Sequence, residues 1–176
     1  MHLDYLVEMK NISKDFAGIR ALNNVNFNLK QGEVMALIGE NGAGKSTLMK
    51  ILSGIIDRDA GSINVFGEEV RDLDTKKAKE LGISIIHQEL SMCPDLSISD
   101  NIFLGNEILK NGVIDRKAMN DKTKEYLNKL GIDINPDTLV GELSVSVQQL
   151  IEIAKVFSSE AKVIIMDEPT SALTSA

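Results

Sequence analysis

The stretch "GENGAGKST" (39–47) is the part of this chain that most restricts its fold. It matches G-x-x-x-x-G-K-[ST], with Gly39, Gly44, Lys45 and Ser46 at the fixed positions and Glu40, Asn41, Gly42, Ala43 and Thr47 completing the loop. Gly42 and Gly44 allow the backbone to curl so that successive N–H groups point at phosphate oxygens, and the following helix adds the positive end of its dipole. Lys45 can reach the β- and γ-phosphates, and the Ser46 hydroxyl can ligate Mg²⁺. The alternative is an ordinary glycine-rich turn. With glycine at about 7% of residues, a chance match in this length falls below about one in a hundred. The context also agrees. "VMALIG" (34–39) is a continuous apolar run that reads as a fully buried strand, and "STLMKILSG" (46–54) reads as a helix closed by Gly54. A nucleoside triphosphate is the implied ligand.

Hydrolysis needs more than a phosphate cradle. "VIIMDE" (163–168), within "KVIIMDEP" (162–169), offers a second buried strand ending in adjacent carboxylates. Alternation sends Asp167 and Glu168 in different directions, which suits Asp167 to hold Mg²⁺ and Glu168 to orient and deprotonate a water. Alone, this is equally a solvated acidic pair before a proline turn. Beside a phosphate loop it completes a hydrolytic site.

Between these motifs the periodicity changes. "LVEMKNISKDF" and "ALNNVNFNLK" alternate as strands, with Leu22, Val25, Phe27 and Leu29 as the apolar set of the second. "GSINVFG" and "GISIIHQ" (82–88) read as further strands around a short helix at "TKKAKEL". Residues 89–158 carry helical patterns and no convincing strand: "SISDNIFLG", "DRKAMNDKTKEYLNKLG" and "VQQLIEIAKVF". In the last, apolar residues surround most of the helix, which implies deep burial. The expected layout is a β-rich start and phosphate-binding core (1–88), a helical subdomain (89–158) and a return to the core (159–176).

Charge and composition exclude some classes. Nineteen Lys and Arg against 26 Asp and Glu give a net charge of -7, with no electrostatic footprint for nucleic acid. The single Cys93 excludes an internal disulfide framework and reads as a buried or incidental thiol in a reducing compartment. The N-terminus is too polar for a signal peptide, and no apolar run approaches the roughly 18 residues of a membrane span. A membrane connection is therefore expected through a partner.

Taken in order, these blocks resemble the ATP-binding cassette (ABC) family along the whole chain. That resemblance implies an α/β P-loop NTPase core with an antiparallel β part at the N-terminus and an inserted α-helical subdomain. It also implies roles at matched positions. Phe16 corresponds to the aromatic that stacks on adenine, the alternative being a plain core phenylalanine. Gln88 corresponds to the glutamine that contacts Mg²⁺ and water and couples nucleotide to the membrane partner, while His87 is read as structural. "SALT" (171–174) corresponds to a dimer-contacting loop, with Thr174 where Asp is usual. "LSVSVQQ" (143–149) stands where the family has Leu-Ser-Gly-Gly-Gln, a turn that acts on the opposite cassette's nucleotide. Ser144 is retained, Val145 and Ser146 replace the glycines, and Val147 replaces the glutamine. A simple helix cap is the alternative there.

"IHQELSMCPDLSISDNIFLGNE" and "VGELSVSVQQLIEIAKVFS" are similar to the first cassette of bacterial importers for ribose, galactose, xylose and related sugars. The implied function is an ATPase at the cytoplasmic face of the bacterial membrane. Its implied partners are permease subunits, a second ABC domain in the same longer chain or in a homodimer, and indirectly a sugar-binding protein. The alternatives are a non-transport cassette protein, in regulation, translation or repair, and a nucleotide-binding module without turnover. The family's switch histidine lies beyond the acidic strand, and His2 and His87 are both upstream of it. The expectation is a partial cassette, lacking the last part of the core, that hydrolyses ATP poorly alone.

Overall fold

A computed structural model describes residues 5–86, 91–159 and 161–166 of the chain. It divides into two compact units between Ile83 and Ser84.

The first unit is built on two long antiparallel strands, β1 (Val7–Phe16) and β2 (Ile19–Leu29). They are joined by Ala17 and Gly18, both at positive φ, as a two-residue hairpin turn requires. The helix α1 (Lys45–Leu52) follows the phosphate loop, ahead of β3 (Ala60–Val65) and the short β4 (Glu68–Glu69). The sheet order is β2-β1-β3-β4. Central β1 aligns Val7 with Leu29 and Val65, and Met9 with Phe27 and Ile63. These rows put alternate apolar residues on one face, and Val7, Met9, Ile12, Leu22, Ile63 and Val65 are buried. From α1, Leu48, Ile51 and Leu52 are buried too. The helix α2 (Thr75–Glu80) begins at Asp74, whose carboxylate accepts from Lys77 N at 2.6 Å.

One sequence expectation fails here. Residues 34–39 form no strand and are exposed, Val34 at 98% and Ile38 at 94%. An apolar run meets the burial requirement of a central strand, but a strand also needs ladder partners for its N–H and C=O groups. No strand among the described residues pairs with it.

The second unit is mainly helical. The strand β5 (Ile83–Ile86), at the division, pairs with β8 (Val163–Met166). Between them come α3 (Ile98–Phe103), a small hairpin of β6 (Leu109–Lys110) and β7 (Val113–Ile114), α4 (Arg116–Lys129) and α5 (Val145–Ser158). Serine or aspartate caps each helix: Ser97 accepts from Asp100 N at 3.0 Å, and Asp115 from Ala118 N at 3.0 Å. Ile98, Ile102 and Phe103 of α3, Met119 and Leu127 of α4, and Ile151 and Ala154 of α5 form the core with Val140.

Two further expectations are corrected. The hairpin of β6 and β7 lies where no strand was read; its turn, Asn111-Gly112 with both φ positive, was the available signal. The strand β8 is not buried on both faces: Val163 and Ile165 are inside, Ile164 and Met166 exposed, because only one of its faces is covered. Of the two readings of Cys93, a buried or an incidental thiol, its exposure excludes the first.

Asn101 is 1% exposed and ties the segment before α3 to that helix. Its Oδ1 accepts from Cys93 N at 2.8 Å, and its Nδ2 donates toward the carbonyls of Cys93, Ser97 and Leu96 at 2.9, 3.0 and 3.2 Å. Asn101→Ala is expected to cost about 2–4 kcal/mol by chemical denaturation, since several buried groups lose partners together. Asn101→Asp, which turns a carboxylate toward three carbonyls, should cost at least as much at neutral pH. Unchanged denaturation midpoints in both variants would show that the Asn101 hydrogen bonds carry no stability.

Candidate nucleotide site

The phosphate loop lies wholly in the first unit, and its conformation follows from its glycines. Gly42 has φ +84° and Gly44 φ +87°, values that an L side chain resists. Gly44 is the residue before the first turn of α1, in the left-handed region. The loop closes on itself through Ala43 N, which donates to Glu40 O at 3.1 Å. A Cβ on Gly44 would lie 2.6 Å from Ala21 O and 2.7 Å from Leu22 Cδ2, so the loop is seated against β2 with no spare space. At Gly42 the same Cβ would meet nothing within 4 Å.

Lys45 reaches back across the loop. Its Nζ donates to Gly39 O at 2.7 Å and Glu40 O at 2.9 Å. The ammonium is therefore folded back onto the start of the loop. The first N–H groups of α1 have no intrahelical acceptor by geometry, so they and the ammonium make the loop and the helix start locally positive. Ser46 is exposed and Thr47 half-buried in the first helical turn.

The ring of Phe16 is not a core phenylalanine: it is 44% exposed, at the end of β1. It pairs with Ile19, itself 74% exposed, across the hairpin turn. Ile19 is two residues from Ala21, the residue that seats Gly44, so Phe16 and the loop attach to the same end of β2. The sequence reading missed what stands behind the ring. Lys14 Nζ lies over it, 5.6 Å from the centroid, and meets Asp59 Oδ1 at 2.7 Å. The other oxygen, Asp59 Oδ2, accepts from Asp15 N at 2.7 Å. The hydrogen bond from Lys14, then that from Asp15 N, hold the Asp59 carboxyl below the usual carboxylate range. The clamp is thus intact at neutral pH and is lost only as pH falls through that lowered value. Lys14 stands two residues before Phe16, a spacing that could have suggested the contact; Asp59 is remote in sequence and gave no local signal.

In the second unit, Ser144 begins α5 and accepts from Val147 N at 3.4 Å, a long capping bond. Val145 is 54% exposed and Ser146 is exposed. Gln148 points inward, its Nε2 donating to Val140 O and Leu143 O at 3.0 Å each. That glutamine braces the turn from within while Ser144, Val145 and Ser146 face outward from the helix start. His2, His87, Gln88, Asp167, Glu168 and the loop 171–174 lie outside the described residues.

For Mg²⁺, a hard cation that prefers oxygen ligands, the described part of the site offers the exposed Ser46 hydroxyl beside the loop, which fits. No group of three or more His, Cys, Asp or Glu side chains able to hold a metal occurs among the described residues. No described helix is long and apolar enough to cross a membrane.

The ABC transporter family profile matches residues 22–171. The chain is 49% identical over 172 residues, 97% of its length, to the xylose import ATP-binding protein XylG of Geobacillus kaustophilus. It is 52% identical over 171 residues, 96% of its length, to the ribose import ATP-binding protein RbsA of Shouchella clausii. It spans 34% of each of these relatives. Among solved structures it resembles an ATP-binding cassette in a dimeric, post-hydrolysis state bound to ADP and Pi. The TM-score is 0.79 at 27% identity, covering 96% of this chain and 76% of that one. The α/β fold of the P-loop cassettes is thereby shown.

Proposed function

Since this chain belongs to the ABC transporter family, we propose that it binds and hydrolyses ATP to power import of a monosaccharide through membrane permease subunits, at the cytoplasmic face of the membrane. The observation that carries the nucleotide part is the loop itself: two left-handed glycines, a helix start and an ammonium folded back onto the loop. The import part is supported by the relatives' names, which are those of xylose and ribose import proteins.

In this reading the triphosphate lies in the loop 39–47. Lys45 moves from the carbonyls of Gly39 and Glu40 to the β- and γ-phosphate oxygens. Phe16 offers its open face to adenine. Ser46, Gln88 and Asp167 would hold Mg²⁺, which would supply positive charge to offset that of the phosphate oxygens. Glu168 takes a proton from the attacking water as the new O–P bond forms and the bond to the β-phosphate oxygen breaks. The product side is ADP and inorganic phosphate. Lys45 stabilises charge on the transferring group throughout.

Ser144, Val145 and Ser146 serve a second cassette's nucleotide, supplied by the same longer chain or by a second copy. Two side chains replace glycines where a backbone must approach a phosphate, so with a different second cassette in the same longer chain the pair is asymmetric: this chain's own site, closed by that cassette's turn, is competent and the opposite one weak. Restoring glycine at Val145 and Ser146 should change total turnover less than about threefold, because turnover is carried by this chain's own site, which does not use those residues. A large gain would defeat the asymmetry.

The deciding experiment uses the intact protein reconstituted with permease in vesicles. Glu168→Gln should leave ATP binding in place and lower turnover by at least about a hundredfold, with sugar uptake lost in parallel. Normal ATP turnover without any effect of the permease on its rate would refute the import reading.

A further inference from the structure

We infer that Asp59 and Lys14 are positioning residues for the nucleotide base, holding Phe16 with one face covered and the other presented to adenine. The inference rests on the reading of Phe16 as the base platform and adds how that platform is built.

Phe16 has few means of keeping its place. It is the last residue of β1, beside a two-residue turn, and much of its surface is in water. An exposed ring at a strand end moves among rotamers unless something holds it. Asp59 holds the segment at three points. Its own N–H donates to Ser13 O at 3.0 Å, its Oδ2 accepts from Asp15 N, and its Oδ1 anchors the Lys14 ammonium. The side chain of Lys14 is only 15% exposed, so this cation is more sheltered than an ordinary surface lysine. Its Nζ lies over the Phe16 ring, which takes up that face through cation–π attraction and leaves the opposite face for a flat ligand.

The clamp therefore acts on the base side of the site and not on the phosphate side. Lys45, Gly42 and Gly44, which form the phosphate cradle, make no bond to Asp59 or Lys14 among those described. A ligand with a triphosphate and no base should be indifferent to the clamp. A ligand with a base should feel it.

The test measures Kd for ATP and for inorganic tripolyphosphate on the intact protein by titration calorimetry, and reads the ratio of the two. Lys14→Met keeps the aliphatic stem and removes the cation; Asp59→Asn keeps an acceptor for Asp15 N and removes the charge that anchors Lys14. Each should weaken ATP by about two- to fivefold, the range of an exposed cation–π contact, and leave tripolyphosphate unchanged. Asp59→Ala should do at least as much. In the Phe16→Ala background the same changes should add nothing further, because they act through the ring. Equal weakening of both ligands, or an unchanged ratio in Lys14→Met and Asp59→Asn while Phe16→Ala lowers it, overturns the positioning role alone. An unchanged ratio in Phe16→Ala overturns the platform reading on which it rests.

Discussion

Lys45→Met is expected to reduce ATP turnover by about two to three orders of magnitude while leaving the chain folded. The two halves of that expectation have separate grounds. In the structure Lys45 Nζ meets Gly39 O and Glu40 O, and both residues are exposed, so water can replace the lost donor. The stability change should stay within about 1 kcal/mol, as for other exposed hydrogen bonds. The ammonium has no such substitute on a triphosphate. It is a side-chain cation held on the loop itself, and phosphoryl transfer depends on fixed positive charge around the migrating group. Steady-state ATPase activity and thermal midpoint, measured on the same preparation, check both halves. Turnover within tenfold of the parent would mean that the N–H groups and Mg²⁺ suffice, and that Lys45 only fastens the loop.

The second large effect belongs to Gly44. Gly44→Ala combines two costs that Gly42→Ala does not. Both positions have φ near +85°, so alanine is strained at each by about 1–2 kcal/mol. At Gly42 the added methyl enters open space. At Gly44 it meets the backbone oxygen of Ala21, which lies within β2 where the pairing with β1 shifts register, and the side chain of the buried Leu22. Leu22 can shift by a rotamer; the carbonyl cannot move without disturbing β2. The combined cost is about 3 kcal/mol or more. It should appear as a lower denaturation midpoint and roughly a hundredfold weaker ATP binding, since the loop must leave its seat. Gly42→Ala should lose about 1 kcal/mol. If the two variants behave alike, the contact of the loop with β2 carries no weight, and left-handed strain alone explains the glycines.

Local chemistry was the legible part of this protein. The phosphate loop, the caps at Ser97, Asp115 and Ser144, and the period-2 strands β1 and β2 depend on residues within a few positions of each other, and the sequence states those relations directly. The hairpin at 109–114 belongs to the same kind and was overlooked, although Asn111-Gly112 announces it. Long-range relations were hidden. The run 34–39 has the composition of a buried strand and is neither buried nor a strand among the described residues, because pairing depends on neighbours that composition does not name. Alternation along β8 likewise appears only when one face is covered.

The sequence by itself determined the chemistry of the loop 39–47, since only glycine tolerates its backbone and only lysine puts a mobile point charge there. It also determined where each helix of the second unit starts, through side chains that cap their own backbone. Tertiary structure alone decided that Phe16 stands in solvent at a hairpin tip, that Gly44 is pressed against Ala21, and that Asp59 reaches Lys14 and Asp15 from far along the chain. The physical reason is the same in each case. A cap or a turn is closed by bonds spanning a few residues, whereas exposure, a seat or a clamp depends on which segments distant in sequence pack against a residue.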